Sequence, residues 1–434
     1  MRGGEIKGPI MTMTHPNDAA ADVDVNDVPL DEIDVSQPHL FKNDTWRPWF
    51  ARLRKEAPVH YLADSDNGPF WSVTTHEMTM AVDTNHRVFS SEAGGIAIVD
   101  PQPMEGEELT RDPSFISLDE PKHSQQRKAV SAAVAPNNLA DLEPLIRERA
   151  ADILDTLPVG ETFNWVDKVS VELTARMLAT LFDFPYERRR DLIRWSDVAT
   201  AVPKVTGEAN DMTARRDALI ECATVFYQLW QERAAEDPKF DFVSMLAHGE
   251  ATKHLNEDPL LMLGNIILLI VGGNDTTRNS ISGGVLALNQ FPEEYAKLQK
   301  DPDLIPSMVP EMIRWQTPVI HMRRTALEDV ELGGKTIRKG DKVVMWYLSG
   351  NRDENIFPDA DRLIIDRPNA RRHVSFGYGV HRCMGNRMAE LQLRVLWEEI
   401  MKRFRMVEVV GDVERVSNNF IRGIANLPVQ VHPH

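Results

Sequence analysis

Cys383 is one of two cysteines in a chain of 434 residues, and it stands in the run FGYGVHRCMG, Phe376 to Gly385, beside His381 and Arg382. A helical pattern begins just after it. A thiol at a helix N-terminus among positive side chains has a lowered pKa and stays ionised, the form that ligates a metal. Gly377, Gly379 and Gly385 allow sharp turns and close approach of the backbone to a large flat group. The chemistry that fits is a single axial thiolate beneath a haem, a ligand that pushes electron density onto iron and favours O–O cleavage. A cysteine in a Gly-rich turn also fits a small buried hydrophobe, so the run alone leaves both readings open. Zinc fits poorly, because no second cysteine lies near and zinc takes about four ligands.

Other residues of chemical interest stand elsewhere. GGNDTT, Gly272 to Thr277, interrupts a strongly apolar helical stretch from Pro259 to Phe291. Asp275 and Thr276 there place an acid and a hydroxyl where burial costs free energy unless they are bonded or used. Carboxylate, hydroxyl and a trapped water make a proton relay suited to the reduction of dioxygen, and a helix kink is the plainer alternative. In DEPKHSQQR the Pro121 start sets His123 and Arg127 at i and i+4 on one helix face, where they could hold a haem propionate or simply face solvent. Arg324 is another candidate for the propionates. Glu311 and Arg314, in EMIRW, lie at i and i+3, a pair worth only about 0.2–0.5 kcal/mol on a surface.

The elements that must position these groups are mostly helices. From Pro136 to about Asp258 apolar spacing is helical, with breaks near Leu157–Glu161, Phe184–Tyr186 and Val202–Gly207, and Cys222 there reads as packing. The 259–291 helix is apolar on all sides and should run through the interior. VHYLADSDNGPFWSVTT reads as a hairpin, and the stretch after Pro318 as short strands with Gly turns. Ser91 to Phe115 reads as a long loop, a fair place for substrate contacts.

Composition narrows the class. A formal charge of −17 argues against nucleic acid or an anionic membrane as the main partner. Two cysteines make no disulfide scaffold and fit a reducing cytoplasm. Residues 1–45 read as an acidic, flexible extension without a basic-then-apolar signal, and residues 46–434 as one domain with neither linker nor repeat. The longest apolar run, Ile266 to Val271, falls far short of the roughly twenty residues of a membrane span, so the protein is expected to be soluble.

Taken in order, FGYGVHRCMG, GGNDTT, EMIR and DEPKHSQQR resemble the cytochrome P450 family of haem-thiolate monooxygenases, over about Trp46 to the C-terminus. The resemblance implies a mainly α fold with small β-sheets in a single triangular domain, holding haem b and using O2 as co-substrate. It implies Cys383 as axial ligand, and Phe376, Gly379 and Gly385 around the haem. It also implies His123, Arg127, Arg324 and His381 at the propionates, and Asp275 with Thr276 as the acid–alcohol pair. Glu311 and Arg314 would belong to a buried structural triad completed by Arg362 in ADRL, although Ala360 and Leu363 depart from the family's usual Pro and Phe. No flavin or iron–sulfur signature is present, so electrons are expected from a ferredoxin with an NAD(P)H-dependent ferredoxin reductase. That donor would dock near Arg371, Arg372, Arg382, Arg387 and Arg394.

Longer matches, LIVGGNDTTRNSISGGVLALNQFP and TPVIHMRRTALEDVELGGKTIRKGDKVVMWYLSGNRDENIFPDADR, are similar to the soluble bacterial subfamily that hydroxylates the terminal carbon of medium-chain alkanes and fatty acids. Leu268, Val271, Val319, Ile320, Met322, Ile421 and Ile424 would give a narrow aliphatic wall against a small apolar substrate, in a cytoplasmic monomer. The alternatives are the same chemistry on a bulkier terpene, steroid or macrolide, and a non-catalytic haem sensor.

Overall fold

The computed structural model describes residues 24–100, 114–200 and 212–434, and its framework is the helix Pro259–Gln290. The Asp258 carboxylate caps it by accepting from the Leu260 and Leu261 N–H groups at 2.9 and 3.4 Å, and Pro259 sits where a missing N–H costs nothing. At about 1.5 Å per residue the helix is about 48 Å long. It packs against the helices Glu172–Leu181, Arg189–Thr200, Met212–Ala235, Ile305–Gln316 and Asn386–Arg403, which accounts for apolar residues on every side. Length and composition alone would let it cross a membrane. Its buried polar side chains instead tie it to neighbouring segments. Asn265 accepts from the Phe115 N–H at 3.0 Å, Asn274 from the Thr174 hydroxyl at 2.9 Å, and Asn279 from the Ile424 N–H at 3.0 Å. The GGNDTT stretch is helical throughout.

The expected hairpin pairs Val59–Leu62 antiparallel with Phe70–Val73. The sheet continues parallel into Lys342–Met345, then antiparallel into Met322–Ala326 and Phe89–Ser90. Phe163–Asn164, Pro428–Pro433 and Phe404–Val409 make a second, three-stranded sheet. Strands are few and short, and helices carry the fold. The helices before two of the expected breaks end at Asp155 and Leu181; the break expected at Val202–Gly207 lies outside the described residues, as do 101–113 of the expected loop.

The division expected at residue 46 needs correction. Val28, Ile33, Val35, Leu40 and Phe41 are buried in one cluster with Trp46, Phe50 and Trp346. Arg52 fastens this segment by donating to the Val28 carbonyl at 2.6 Å. The apolar residues are thinly spread among acidic and other polar ones, so the stretch reads as polar although Val28, Ile33, Val35, Leu40 and Phe41 are inserted into the core. Residues 1–23 of the expected extension lie outside the described residues.

Glu311 and Arg314 are both wholly buried on the helix Ile305–Gln316, joined by two bonds of 2.7 and 2.8 Å. Their third partner is Arg367 and not Arg362: the Arg367 Nε lies 3.0 and 3.1 Å from the two Glu311 oxygens. Arg362 turns its half-exposed side chain out to Glu293 and offers only its carbonyl, which accepts from Arg314 at 2.9 Å. The Ala360 carbonyl also faces Arg314, at 2.7 Å. With the turn's carbonyls directed inward, Asp359, Asp361 and Arg362 turn their side chains to solvent, and the chain brings an arginine back to Glu311 only five residues later.

Candidate active site

The cysteine loop is closed by a hydrogen bond from the Cys383 N–H to the Phe376 carbonyl at 2.8 Å. Asn351 ties it to the triad helix: its amide donates to the Ser375 hydroxyl and its oxygen accepts from the Val374 N–H, both at 2.8 Å, while its own carbonyl accepts from Arg314. Within the loop Gly377 and Gly379 take φ of +62° and +66°. A Cβ on Gly379 would lie 2.6 Å from the Asp83 carbonyl oxygen, so this glycine is required by the packing of the loop on the Asp83 turn, rather than by close approach to a flat group. Gly385 is different, with nothing within 4 Å of a Cβ, and it lines the cavity.

Cys383 has accessible surface although protein surrounds it, because that surface is cavity wall. Burial pushes the thiol's pKa up, while the N–H groups of Gly385 and Asn386 and the charges of Arg127 and Arg382 pull it down. The helix Asn386–Arg403 thus presents its N-terminus to the sulfur.

The cavity measures about 640 Å³ and is bounded by Phe376, Cys383 and Gly385 of the loop and by Gly272, Gly273 and Thr276 of the long helix. Its described lining contains no Asp or Glu. His123, Arg127, Arg324 and His381 come to it from three separate segments. The His123 and His381 rings lie 4.1 Å apart, Arg324 pairs with the buried Asp83 at 3.0 Å, and His123 bonds the Phe115 carbonyl at 2.9 Å. Burial and the neighbouring Arg324, His123 and Arg127 push the His381 pKa down to about 2, and its buried Nδ1 has no hydrogen-bond partner. Gly272 likewise has open space where a Cβ would stand. A thiol aimed into an acid-free cavity, an orphaned imidazole nitrogen and cationic side chains at a wall that holds no carboxylate fit a flat iron macrocycle carrying two carboxylates.

Thr276 reaches the cavity wall, and its hydroxyl donates to the Gly272 carbonyl at 2.9 Å. Asp275 faces away from the cavity and is wholly buried. It pairs with Arg278 at 2.7 Å and accepts from the Ser196 hydroxyl at 3.1 Å, and Arg278 in turn reaches Asp197, which is half exposed. Burial raises the Asp275 pKa against the pull of Arg278, favouring a carboxyl that can hold a proton. Leu268, Val271, Val319, Met322 and Ile421 all line the cavity. Ile320 and Ile424 are corrections. Ile320 points away from the cavity and packs on the Trp46–Trp346 cluster, and Ile424 belongs to the main core. Ile96, Phe115, Leu181, Ile267 and Phe420 also line the cavity, and no periodicity in the sequence set them apart from ordinary core residues.

The family model described as Cytochrome P450 matches residues 203–431, and linalool 8-monooxygenase of Pseudomonas putida is 38% identical over 93% of this chain and 100% of its own. The chain belongs to the cytochrome P450 family. As a P450 it is a haem-thiolate monooxygenase of the oxidoreductase class, and P450s of this kind receive their electrons from redox partners. CYP153D17 from Sphingomonas sp. PAMC 26605 is similar in structure, with a TM-score of 0.87 and 47% identity over 93% of this chain and 100% of that one. A methyl-branched lipid omega-hydroxylase of Mycobacterium bovis is 30% identical over 93% of this P450 and 97% of its own chain.

Proposed function

We propose that this P450 hydroxylates the terminal carbon of medium-chain linear alkanes or fatty acids. The observation that carries the reading is the cavity wall beyond the cysteine loop, where Leu268, Val271, Val319, Met322 and Ile421 form an aliphatic lining without a carboxylate. Terminal C–H bonds are the strongest in such a chain, so attack there requires steric restraint, which branched side chains close to the reacting carbon supply. The omega-hydroxylase named above supports oxidation at a chain end. The linalool enzyme favours a second reading, an acyclic terpene alcohol in the same cavity.

Haem held by Cys383 supplies, when bound, the insertion of one oxygen atom of dioxygen into a C–H bond at the cost of two electrons and two protons. The chain's own residues do the rest. His123, Arg127, Arg324 and His381 would hold the propionates and so orient the cofactor in the cavity. Thr276 presents its hydroxyl at the cavity wall, and Asp275 holds a proton behind it, while Arg278 pairs Asp275 with the half-exposed Asp197 and so links the buried acid to a solvent-facing one. Apolar substrate excludes water from the cavity.

The electron donor in this reading is a ferredoxin served by an NAD(P)H-dependent reductase, acting on a cytoplasmic monomer. Arg372, Arg382 and Arg387 are exposed around the cysteine loop, and Arg371 is exposed beside Glu390, a local positive face on an acidic protein. Arg394 drops out of this face, since Glu143 and Glu398 take both of its outer nitrogens at 2.7 and 2.8 Å.

The test is an optical titration of the ferric protein with linear alkanes, fatty acids, terpenes and steroids, followed by product analysis with a ferredoxin system. A low-to-high-spin shift and terminal alcohol from linear chains are expected. A shift confined to ring compounds would overturn the substrate class.

A further inference from the structure

Three irregular segments meet at the cavity, and one buried side chain joins them. Ile96, Val319 with Met322, and Phe420 with Ile421 line the wall, each from a different stretch of chain. His321 stands between Val319 and Met322 on the opposite face, with no exposed surface. Its Nε2 accepts from the Ile98 N–H at 3.0 Å, and its Nδ1 meets the Asn419 carbonyl at 2.8 Å. A backbone N–H can only donate and a carbonyl can only accept, so the ring is neutral with its proton on Nδ1. Burial pushes its pKa down to about 4, which keeps that tautomer near neutral pH. The ring also packs against Phe420 and Trp346, with centroids 5.3 and 5.1 Å away.

The main-chain bonds hold these segments only in pairs. Ile320 N–H donates to the Phe420 carbonyl at 2.8 Å, and Arg323 N–H to the Ile96 carbonyl at 2.7 Å. Among the described residues His321 alone bonds to both outer segments through one rigid ring, two residues from Ile96 on one side and one residue from Phe420 on the other. A shift of either segment changes the width of the wall.

We propose that His321 is a positioning residue that fixes the separation of the Ile96, Val319–Met322 and Phe420–Ile421 segments, and thereby sets which carbon of the substrate is presented for oxidation. The inference rests on the terminal-hydroxylation reading only for which product is counted. It assigns to a residue outside the cavity a part in regioselectivity that the lining residues cannot perform unless they are held.

The experiment compares the haem-loaded full chain with His321→Phe and His321→Gln, using octane and dodecanoic acid as probes. Phe keeps the ring packing but removes both hydrogen bonds; Gln keeps an acceptor for Ile98 and loses the Nδ1 donor. The ratio of terminal to internal alcohol should fall about tenfold in His321→Phe and less in His321→Gln, with the ferrous–CO spectrum unchanged. Backbone hydrogen exchange should quicken in residues 415–422 of His321→Gln while the helix Asn386–Arg403 exchanges as before. An unchanged product ratio in a His321→Phe protein that holds its haem overturns the proposal. Should that variant not fold, unchanged exchange and product ratio in His321→Gln overturn it instead. A wild-type enzyme whose main product is internal would overturn the terminal reading, and the ratio of that product to the others would still decide the role of His321.

Discussion

Arg367 donates its Nε–H to both carboxylate oxygens of Glu311, at 3.0 and 3.1 Å, while Arg314 grips the same carboxylate from the other side at 2.7 and 2.8 Å. Glu311 and Arg314 have no exposed surface and Arg367 has 5%. The Ile364 N–H adds a further bond to Glu311 at 3.0 Å. One negative group between two guanidiniums, with every outer nitrogen on a backbone carbonyl, holds the 351–367 turn against the helix that supports the cysteine loop.

Arg367→Ala is therefore expected to cost about 3–5 kcal/mol and to abolish stable haem incorporation, because it removes two charge-assisted bonds from Glu311 and leaves the Pro358 and Asp359 carbonyls without their donor. Arg362→Ala should cost at most about 1 kcal/mol, since its ion pair with Glu293 is half exposed and its carbonyl bond survives the substitution. Haem content and the urea midpoint of the two variants separate the assignments. Equal losses would contradict the geometry.

Much of this site is legible in the sequence because its chemistry is local. Cys383 before a helix, His123 with Arg127 one turn apart and Glu311 with Arg314 are fixed by spacing along one element. What depends on the path of irregular chain or on distant partners is not legible. Ile320 and Val319 are adjacent and similar, yet the segment before the strand sends one to the core and the other to the cavity. Arg362 and Arg367 are both plausible partners for Glu311, and only the path of the turn decides between them. The residues from Val28 to Phe41 look solvated because their burial comes from Trp46 and Trp346, far apart in the chain.

Thr276→Ala is expected to raise the NADH consumed per product several-fold without changing the substrate-induced spin shift, because the hydroxyl lies in the cavity wall but contributes little apolar surface. Asp275→Asn should slow turnover about 100-fold, within the range of lost general acid–base catalysis. Proton-inventory experiments should show a larger solvent isotope effect in Asp275→Asn. Full coupling in Thr276→Ala would remove the relay from the mechanism.

Gly379→Ala tests the loop's seat on the Asp83 turn. The positive φ and a Cβ 2.6 Å from a backbone oxygen cannot both be relieved without moving the loop, at a cost of about 1–3 kcal/mol. Weakened haem retention and a lower thermal midpoint are expected. Gly334→Ala is the control, since it has φ of +73° but nothing within 4 Å, and it should leave haem retention unaltered.

Acid should destabilise the fold through its buried histidines. His321 and His373 have pKa values pushed down from 6.5 to about 4 and about 3, in both cases first by burial. Between those values and 6.5 the unfolded chain binds protons that the folded one refuses, so stability is full above about pH 6.5 and is lost as pH falls. For His321 alone the separation amounts to about 3 kcal/mol. Urea midpoints of the haem-loaded protein measured from pH 7.5 to 4.5 should therefore decline, and His321→Gln should show a shallower decline over the same range. Parallel curves for the two proteins would mean that the His321 imidazole titrates as freely in the folded state as in the unfolded one.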